Sequence, residues 1–466
     1  MASRGQKPAF VVKTMSERWG SRTGFILATI GSAVGLGSVW KFPYEVGENG
    51  GAGFLLFYLL GLVLVVAPLL LAEFVVGRRG QADAATSVAR VAAAAGANPR
   101  WHWIAWLGIL AGFLLLSYYA VIAGMTLAYT GSALWTGFDG FDAVATQQLY
   151  GTVVGDPILL ALCQAGFLGV AVFIVSHGIG GGIETACKIL MPVLIALMLS
   201  LSIYAAIEGD VPRTIAFLFQ WNADELTPRV ALEALGLGFF SIGVGLGLMI
   251  TYAGYAGTTF DLGRAAWITL AGDTAISIIA GMAIFPLVFR YGLDPAEGVG
   301  LMFVTLPIAF GRLPFGDVVA TAFFLLLFVA ALASALSLLE LVVAPLHKRS
   351  GWSRPRTTVI AGIACWVAGL PSLLSFNLWS ELRPLAAFSD FAGHDVFETV
   401  DALVSNVMLP AGGLLIALFV GWRLDPALLA AELGWRPVAL RMLGLLLRWV
   451  VPALILAFVL SGLLMR

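Results

Sequence analysis

The sequence predicts an all-α polytopic membrane protein: about eleven transmembrane helices arranged as a 5+5 inverted repeat, with helices 1 and 6 discontinuous. Three observations predict it. Hydrophobic residues make up 60% of the 466 residues and charged ones 11%, against roughly 45–50% and 25% in soluble domains. Apolar runs of about 20 residues, long enough to cross a bilayer, recur along the whole chain. Two of them, five helices apart, are interrupted by glycine clusters: Gly31-Ser-Ala-Val-Gly-Leu-Gly-Ser38 and Phe240-Ser-Ile-Gly-Val-Gly-Leu-Gly247.

In chain order, residues 1–23 form a basic tail with Arg4, Lys7, Lys13, Arg18 and Arg22 and no apolar core. A cytoplasmic tail is expected there and a cleavable signal peptide is not. The first five-helix half, 24–206, has apolar runs at 24–46, 54–76, 103–135, 157–175 and 182–206. The second, 232–422, has them at 232–255, 265–289, 318–346, 357–370 and 396–420, the fourth of these being short. A last helix falls within 440–466, at 442–464. Lys and Arg concentrate in alternate connections (Arg78, Arg79, Arg90 and Arg100; Lys348, Arg349, Arg354 and Arg356; Arg423, Arg436 and Arg441). With the positive side inside, the N-terminus is cytoplasmic. The opposite loop, 136–156, has three aspartates and no Lys or Arg; Arg213, Arg229, Arg290, Arg312 and Arg383 are the main exceptions on that side.

Several function classes are disfavoured. A net charge of −1 gives nucleic acid no footing. Cys163, Cys187 and Cys365 are widely spaced and the four histidines are scattered, so neither a disulfide framework nor a zinc site is expected. No Ser-His-Asp arrangement or phosphate loop stands out, and an enzyme is not expected.

The glycine clusters carry the positive argument. Each interior Gly costs roughly 1 kcal/mol relative to Ala. An unwound turn inside a bilayer survives only where it is buried in protein or lines a polar cavity. Close packing through small residues is another use of such glycines, and one cluster alone leaves both readings open. Corresponding breaks in two halves point to an inverted-repeat transporter with its site at mid-membrane. Half-helix N-termini offer free N–H groups to an anion, and unwound carbonyls can hold a cation.

The residues around these breaks resemble the neurotransmitter:sodium symporter family, in particular its bacterial amino acid transporters of the leucine-transporter type. Gly31 to Tyr44, followed by Glu48-Asn-Gly-Gly-Ala-Gly-Phe54, looks like the family's first-helix signature. Phe239 to Gly247 with Thr251-Tyr-Ala-Gly-Tyr255 resembles its sixth helix, and the similarity runs from about Trp19 to Trp422. The resemblance implies coupling of amino acid or amine uptake to sodium by alternating access, in the inner (plasma) membrane of a prokaryote.

It also implies site residues. One sodium site would comprise the Ala33 carbonyl, Ser38, Ser241 and Asp273, with hard oxygen ligands suited to the ion. The family usually has Asn at the positions of Ser38 and Asp273. An acid within Leu270-Ala-Gly-Asp-Thr-Ala-Ile276 is expensive in a membrane without a cation or polar partner, although helix packing or an ion pair is the plainer use. Ser277 matches a chloride-binding serine of chloride-dependent relatives, and Asp273 is expected to supply that negative charge, removing a chloride requirement. A second sodium site would use carbonyls of Gly31, Val34 and Ala330 and the Ser334 hydroxyl. Ala333 lacks the usual hydroxyl there, so one or two sodium ions are expected.

For substrate, the resemblance implies a carboxylate held by Tyr119 and the N–H groups of Leu36 and Gly37. The surrounding pocket would include Ser32, Ala33, Leu115, Phe240, Ser241, Gly243, Leu246, Ser334 and Leu338. Membrane tyrosines are more often interfacial or core, but Tyr119 lies mid-segment. Gly243 and Leu246 leave room for a bulky or aromatic side chain, while Leu115 narrows it. Gly35 stands where monoamine carriers have Asp, favouring an amino acid over an amine. Lys41 and Asp401 match an outer gate pair, with Phe240 and Tyr119 as the lid beneath. Lys lacks the forked geometry of Arg, which makes a looser latch.

On the inner side Trp19 matches, but the family's Arg and Asp correspond to Ser16 and Lys348. That ion pair is therefore absent, with Arg22 and Tyr255 as candidates for other contacts. Glu73 matches an acid that braces the broken helices. Gly182 and Pro192 match a spacing that marks opening of helix five, against a plain proline kink.

The expected function is a sodium-coupled symporter importing hydrophobic L-amino acids, including bulky or aromatic ones, without chloride. The competing readings are a proton-coupled or sodium-independent amino acid carrier on the same scaffold and a non-transporting amino acid sensor. The expected partners are a small-molecule amino acid and the lipid bilayer.

Overall fold

The computed structural model describes residues 17–221, 227–295, 300–388 and 391–464, and no strand occurs among them. The membrane-crossing elements are α1 (Arg22–Ala33) and α2 (Gly37–Gly47), α3 (Ala52–Gly80), α4 (Pro99–Trp135), α5 (Pro157–Ser176) and α6 (Ile179–Glu208). After α6 come α7 (Pro228–Ile242) and α8 (Leu248–Gly254). The last five are α9 (Leu262–Arg290), α10 (Gly316–Ser350), α11 (Arg354–Leu374), α12 (Val396–Arg423) and α13 (Pro437–Leu460). Nine of the described helices are long and apolar enough to span singly, and α1–α2 makes a tenth as one bent span. Taking α7 and α8 as another broken span reaches the eleven expected from sequence.

Local chemistry sets the ends. Ser21 caps α1 by accepting from the Gly24 N–H, and Thr227 caps α7 at Val230 with Pro228 in the first turn. Asp261 caps α9, and Asp395 with Glu398 forms a reciprocal capping box on α12. The short ninth run lengthens to Arg354–Leu374. Its first turn holds Arg354 and Arg356, which depress hydropathy without preventing helix formation.

The two breaks differ in kind. Between α1 and α2 the axis bends by 62°, and Val34 turns extended (ψ 95). Between α7 and α8, Gly243, Gly245 and Gly247 all have positive φ (69, 94 and 79°). That is conformational space open to Gly and strained for other residues. The first cluster uses its glycines for proximity instead: a Cβ on Gly35 would sit 2.4 Å from Ser334 Oγ. Both breaks are buried inside the bundle, with α4 packed along α10, α3 along α8, and α1 against α6, α9 and α10.

Candidate functional site

All twelve residues expected around the substrate line a single cavity between the two breaks, joined by Gly35, Leu248 and Ser337. The cavity is bounded largely by Leu115, Phe240, Leu246, Leu248 and Leu338, and its polar groups cluster at the α1–α2 break. Leu36, whose N–H heads the second half-helix, donates to the Tyr119 hydroxyl at 3.3 Å. A free helix N-terminus and a tyrosine hydroxyl thus meet at one wall of an apolar chamber, an arrangement suited to a carboxylate.

Beside that wall, Ser38, Ser241 and Asp273 converge. Ser241 donates to Asp273 Oδ1 at 2.8 Å, Ser38 donates to the same oxygen, and the two serine oxygens lie 2.9 Å apart. Ser38 Oγ also lies 3.4 Å from the Ala33 carbonyl oxygen. Asp273 Oδ2 accepts from Tyr58 at 2.9 Å, a partner that sequence reasoning missed. Asp273 is fully buried, and the ion pairs among the described residues do not include it. An unpaired buried carboxylate with clustered oxygens matches the donor set of a small hard cation. Ser277 Oγ, one turn along α9, is buried without a hydrogen-bond partner.

A second oxygen cluster lies across α1. Ser334 Oγ on α10 is 3.3 Å from the carbonyl oxygens of Gly31 and Ser32 and 3.4 Å from that of Val34. One hydroxyl proton serves only one of them, leaving carbonyl oxygens aimed at a common point. Ala330 is buried one turn earlier on α10, and Ala333 lies across from Gly31.

Glu73 on α3 braces the other break and the first turn of α8. Its carboxylate accepts from the N–H groups of Gly245 (2.7 Å) and Met249 (3.2 Å), which the α7–α8 break leaves without helical partners.

The outer residues are arranged differently from the expected ion pair. Lys41 Nζ lies over the Phe240 ring, 4.7 Å from its centroid, a cation–π contact. Asp401 accepts instead from Tyr118 (2.7 Å) and Ser405 (3.0 Å). Lys41 and Asp401 therefore do not form a salt bridge here, because each has another partner. At the end of the bundle beside the N-terminal tail, Trp19 is buried, donating through Nε1 to the Tyr252 carbonyl at 2.9 Å. Ser16 lies outside the described residues. Lys348 Nζ is 3.5 Å from Asp83, Arg22 is exposed at the start of α1, and Tyr255 donates to Glu340 at 2.6 Å.

The sequence pattern of the sodium:neurotransmitter symporter family matches residues 16–139 and 158–463. The chain belongs to the sodium:neurotransmitter symporter family. Members of this family are transporters and not enzymes, and the chain is a multi-pass membrane protein. An uncharacterized sodium-dependent transporter of Bacillus subtilis, YhdH, is 34% identical over 423 residues, covering 89% of this chain and 90% of the relative. Another, from Haemophilus influenzae, is 29% identical over 413 residues, with 87% and 89% covered. The crystal structure of MhsT in complex with L-phenylalanine superposes with a TM-score of 0.88 at 40% identity, covering 96% of this symporter-family chain and 100% of MhsT. The fold is therefore the inverted-repeat fold expected from the two broken helices.

Proposed function

We propose that the protein is a sodium-coupled importer of hydrophobic L-amino acids that works by alternating access and needs no chloride. The reading rests above all on the adjoining of Leu36 N–H and Tyr119 to the Ser38–Ser241–Asp273 cluster. An amino acid carboxylate at that wall would complete the oxygen shell of a sodium ion bound by Ala33, Ser38, Ser241 and Asp273. Sodium and substrate then favour each other's binding, which is the thermodynamic basis of coupled transport. The second oxygen cluster, with Gly31, Val34, Ala330 and Ser334, is the candidate for another sodium ion.

The apolar walls support a hydrophobic substrate side chain, and the relative MhsT was crystallised with L-phenylalanine. An acid at Gly35 would be needed to hold a decarboxylated amine, and this chain has none there. Asp273 carries its own negative charge beside Tyr58 and Ser277, which removes the need for an external anion.

The test is uptake of labelled L-phenylalanine, L-leucine and L-tryptophan into proteoliposomes under an inward sodium gradient, with chloride or gluconate outside. Uptake that requires sodium and is equal in both anions is expected. Uptake driven equally by a proton gradient without sodium would establish the competing carrier. Binding without counterflow would establish a sensor.

A further inference from the structure

With Ser16 and Lys348 at its positions the expected inner ion pair cannot form, yet Trp19, Tyr255 and Glu340 are buried at that end of the bundle. Glu17, the first described residue, reaches the start of α11, where Arg354 Nη1 is 3.0 Å from its carboxylate. Arg354 Nη2 pairs with the fully buried Glu340 of α10 at 2.5 Å, and its Nε donates to the Val175 carbonyl at 3.0 Å. The Glu17 carboxylate also accepts from the Ile179 N–H at 3.1 Å, at the start of α6. The grip is reciprocal. Glu184, one and a half turns into α6, accepts from the Gly20 N–H (2.6 Å) and the Ser21 hydroxyl (2.8 Å) and pairs with Lys188 at 2.6 Å. Between the two anchor points lie Gly180, Gly181 and Gly182, in a widened, π-type turn.

We propose that Glu17, Arg354 and Glu184 form the lock that closes the cytoplasmic side, with the acid on the tail and the cation on α11. The inference rests on the alternating-access reading. A tail acid holds the first turn of α6, and an α6 acid holds the tail backbone, so neither segment can leave alone. Unwinding the glycine-rich turn separates Ile179 from Glu184 and breaks both grips together. Freeing the tail withdraws Trp19 from Tyr252 by the same motion. Arg354 ties this to α10, the helix that carries Ser334. These are positioning residues: none of them lines the substrate cavity.

Cys187, buried on α6 less than one turn past Glu184, reports opening. The experiment uses the full chain with Cys163→Ser and Cys365→Ser, in inside-out vesicles exposed to a membrane-impermeant maleimide. In sodium, slow labelling of Cys187 is expected. Glu17→Gln, Arg354→Gln and Glu184→Gln should each raise the rate about tenfold when sodium is replaced by potassium, as loss of a charge-assisted contact allows. Glu17→Gln with Arg354→Gln should accelerate labelling by less than the product of the two single effects, because the two residues share the Glu17–Arg354 contact. Saturating sodium should slow labelling again in each variant, which a merely loosened fold would not show. Rates unchanged from the parent, additive effects of Glu17→Gln and Arg354→Gln, or acceleration insensitive to sodium would each overturn the lock. Failure of sodium-dependent uptake in the unsubstituted chain would instead count against the transport reading.

Discussion

Gly35 shows how narrowly a single residue can be constrained. Its φ is ordinary, but a Cβ there would lie 2.4 Å from Ser334 Oγ, 3.1 Å from Ser334 Cβ and 3.0 Å from the Tyr119 hydroxyl. Ser334 would have to turn its hydroxyl away from the Gly31, Ser32 and Val34 carbonyls to make room. Gly35→Ala is therefore expected to weaken sodium binding about tenfold, the effect of one misplaced oxygen ligand or hydrogen bond. The fold should survive, since the neighbouring atoms are side-chain atoms. A sodium titration of substrate binding to purified protein measures this, and a curve superimposing on the parent's would refute the steric argument. Residues of this sort were legible in the sequence because a distinctive spacing fixes their place on the two breaks. Tyr58, Ser337 and Leu248 were not. Tyr58 lies 215 positions from Asp273, and a tyrosine in an apolar helix carries no local sign of a distant carboxylate. The outer pair was legible as positions but not as a contact, because Tyr118 and Ser405 compete for Asp401 and the Phe240 ring holds Lys41.

At the scale of elements, the two glycine clusters look alike as strings and break their helices for different physical reasons. The α1–α2 break needs small residues because α10 and Tyr119 come close. The α7–α8 break needs positive φ at three successive alternate positions, and Gly245 is also pressed against the Leu409 carbonyl of α12. Sequence alone shows the interruption but not which constraint produces it, since both call for Gly. What stabilises the second break is Glu73, reading the N–H groups of Gly245 and Met249 from α3. Glu73→Gln keeps the shape but places an amide NH2 where one of two acceptors stood, facing a backbone donor. A loss of about 1–3 kcal/mol is expected from the unsatisfied groups. The melting temperature in detergent should fall by several degrees, and sodium should restore less of it than in the parent. An unchanged melting temperature would mean that water or rearranged backbone replaces the carboxylate.

Across the whole molecule, the question is how closing one side is linked to filling the site. The α6 helix is placed to do this, since it packs on α1, α9 and α10 together. Its Met191 sulfur would lie 3.0 Å from a Cβ on Gly31, so α6 packs directly on the residue whose carbonyl is proposed for the second cation. Pro192 follows immediately, inside the helix, where it lacks the N–H that would bond one turn back. With Gly182 of the glycine-rich turn ten positions earlier, this leaves the first half of α6 easier to unwind than a regular helix. Pro192→Ala supplies the missing donor and favours the closed helix without touching the cavity. Binding of sodium and substrate at equilibrium should change by less than about twofold, while the rate of uptake falls about tenfold, because a two-state step has been biased away from opening. Comparing initial uptake rates with equilibrium binding on the same preparation separates these quantities. If rate and binding fall together, α6 serves only as a wall of the site. If neither changes, the proline is a static kink and opening proceeds by movement of α1 and its tail alone.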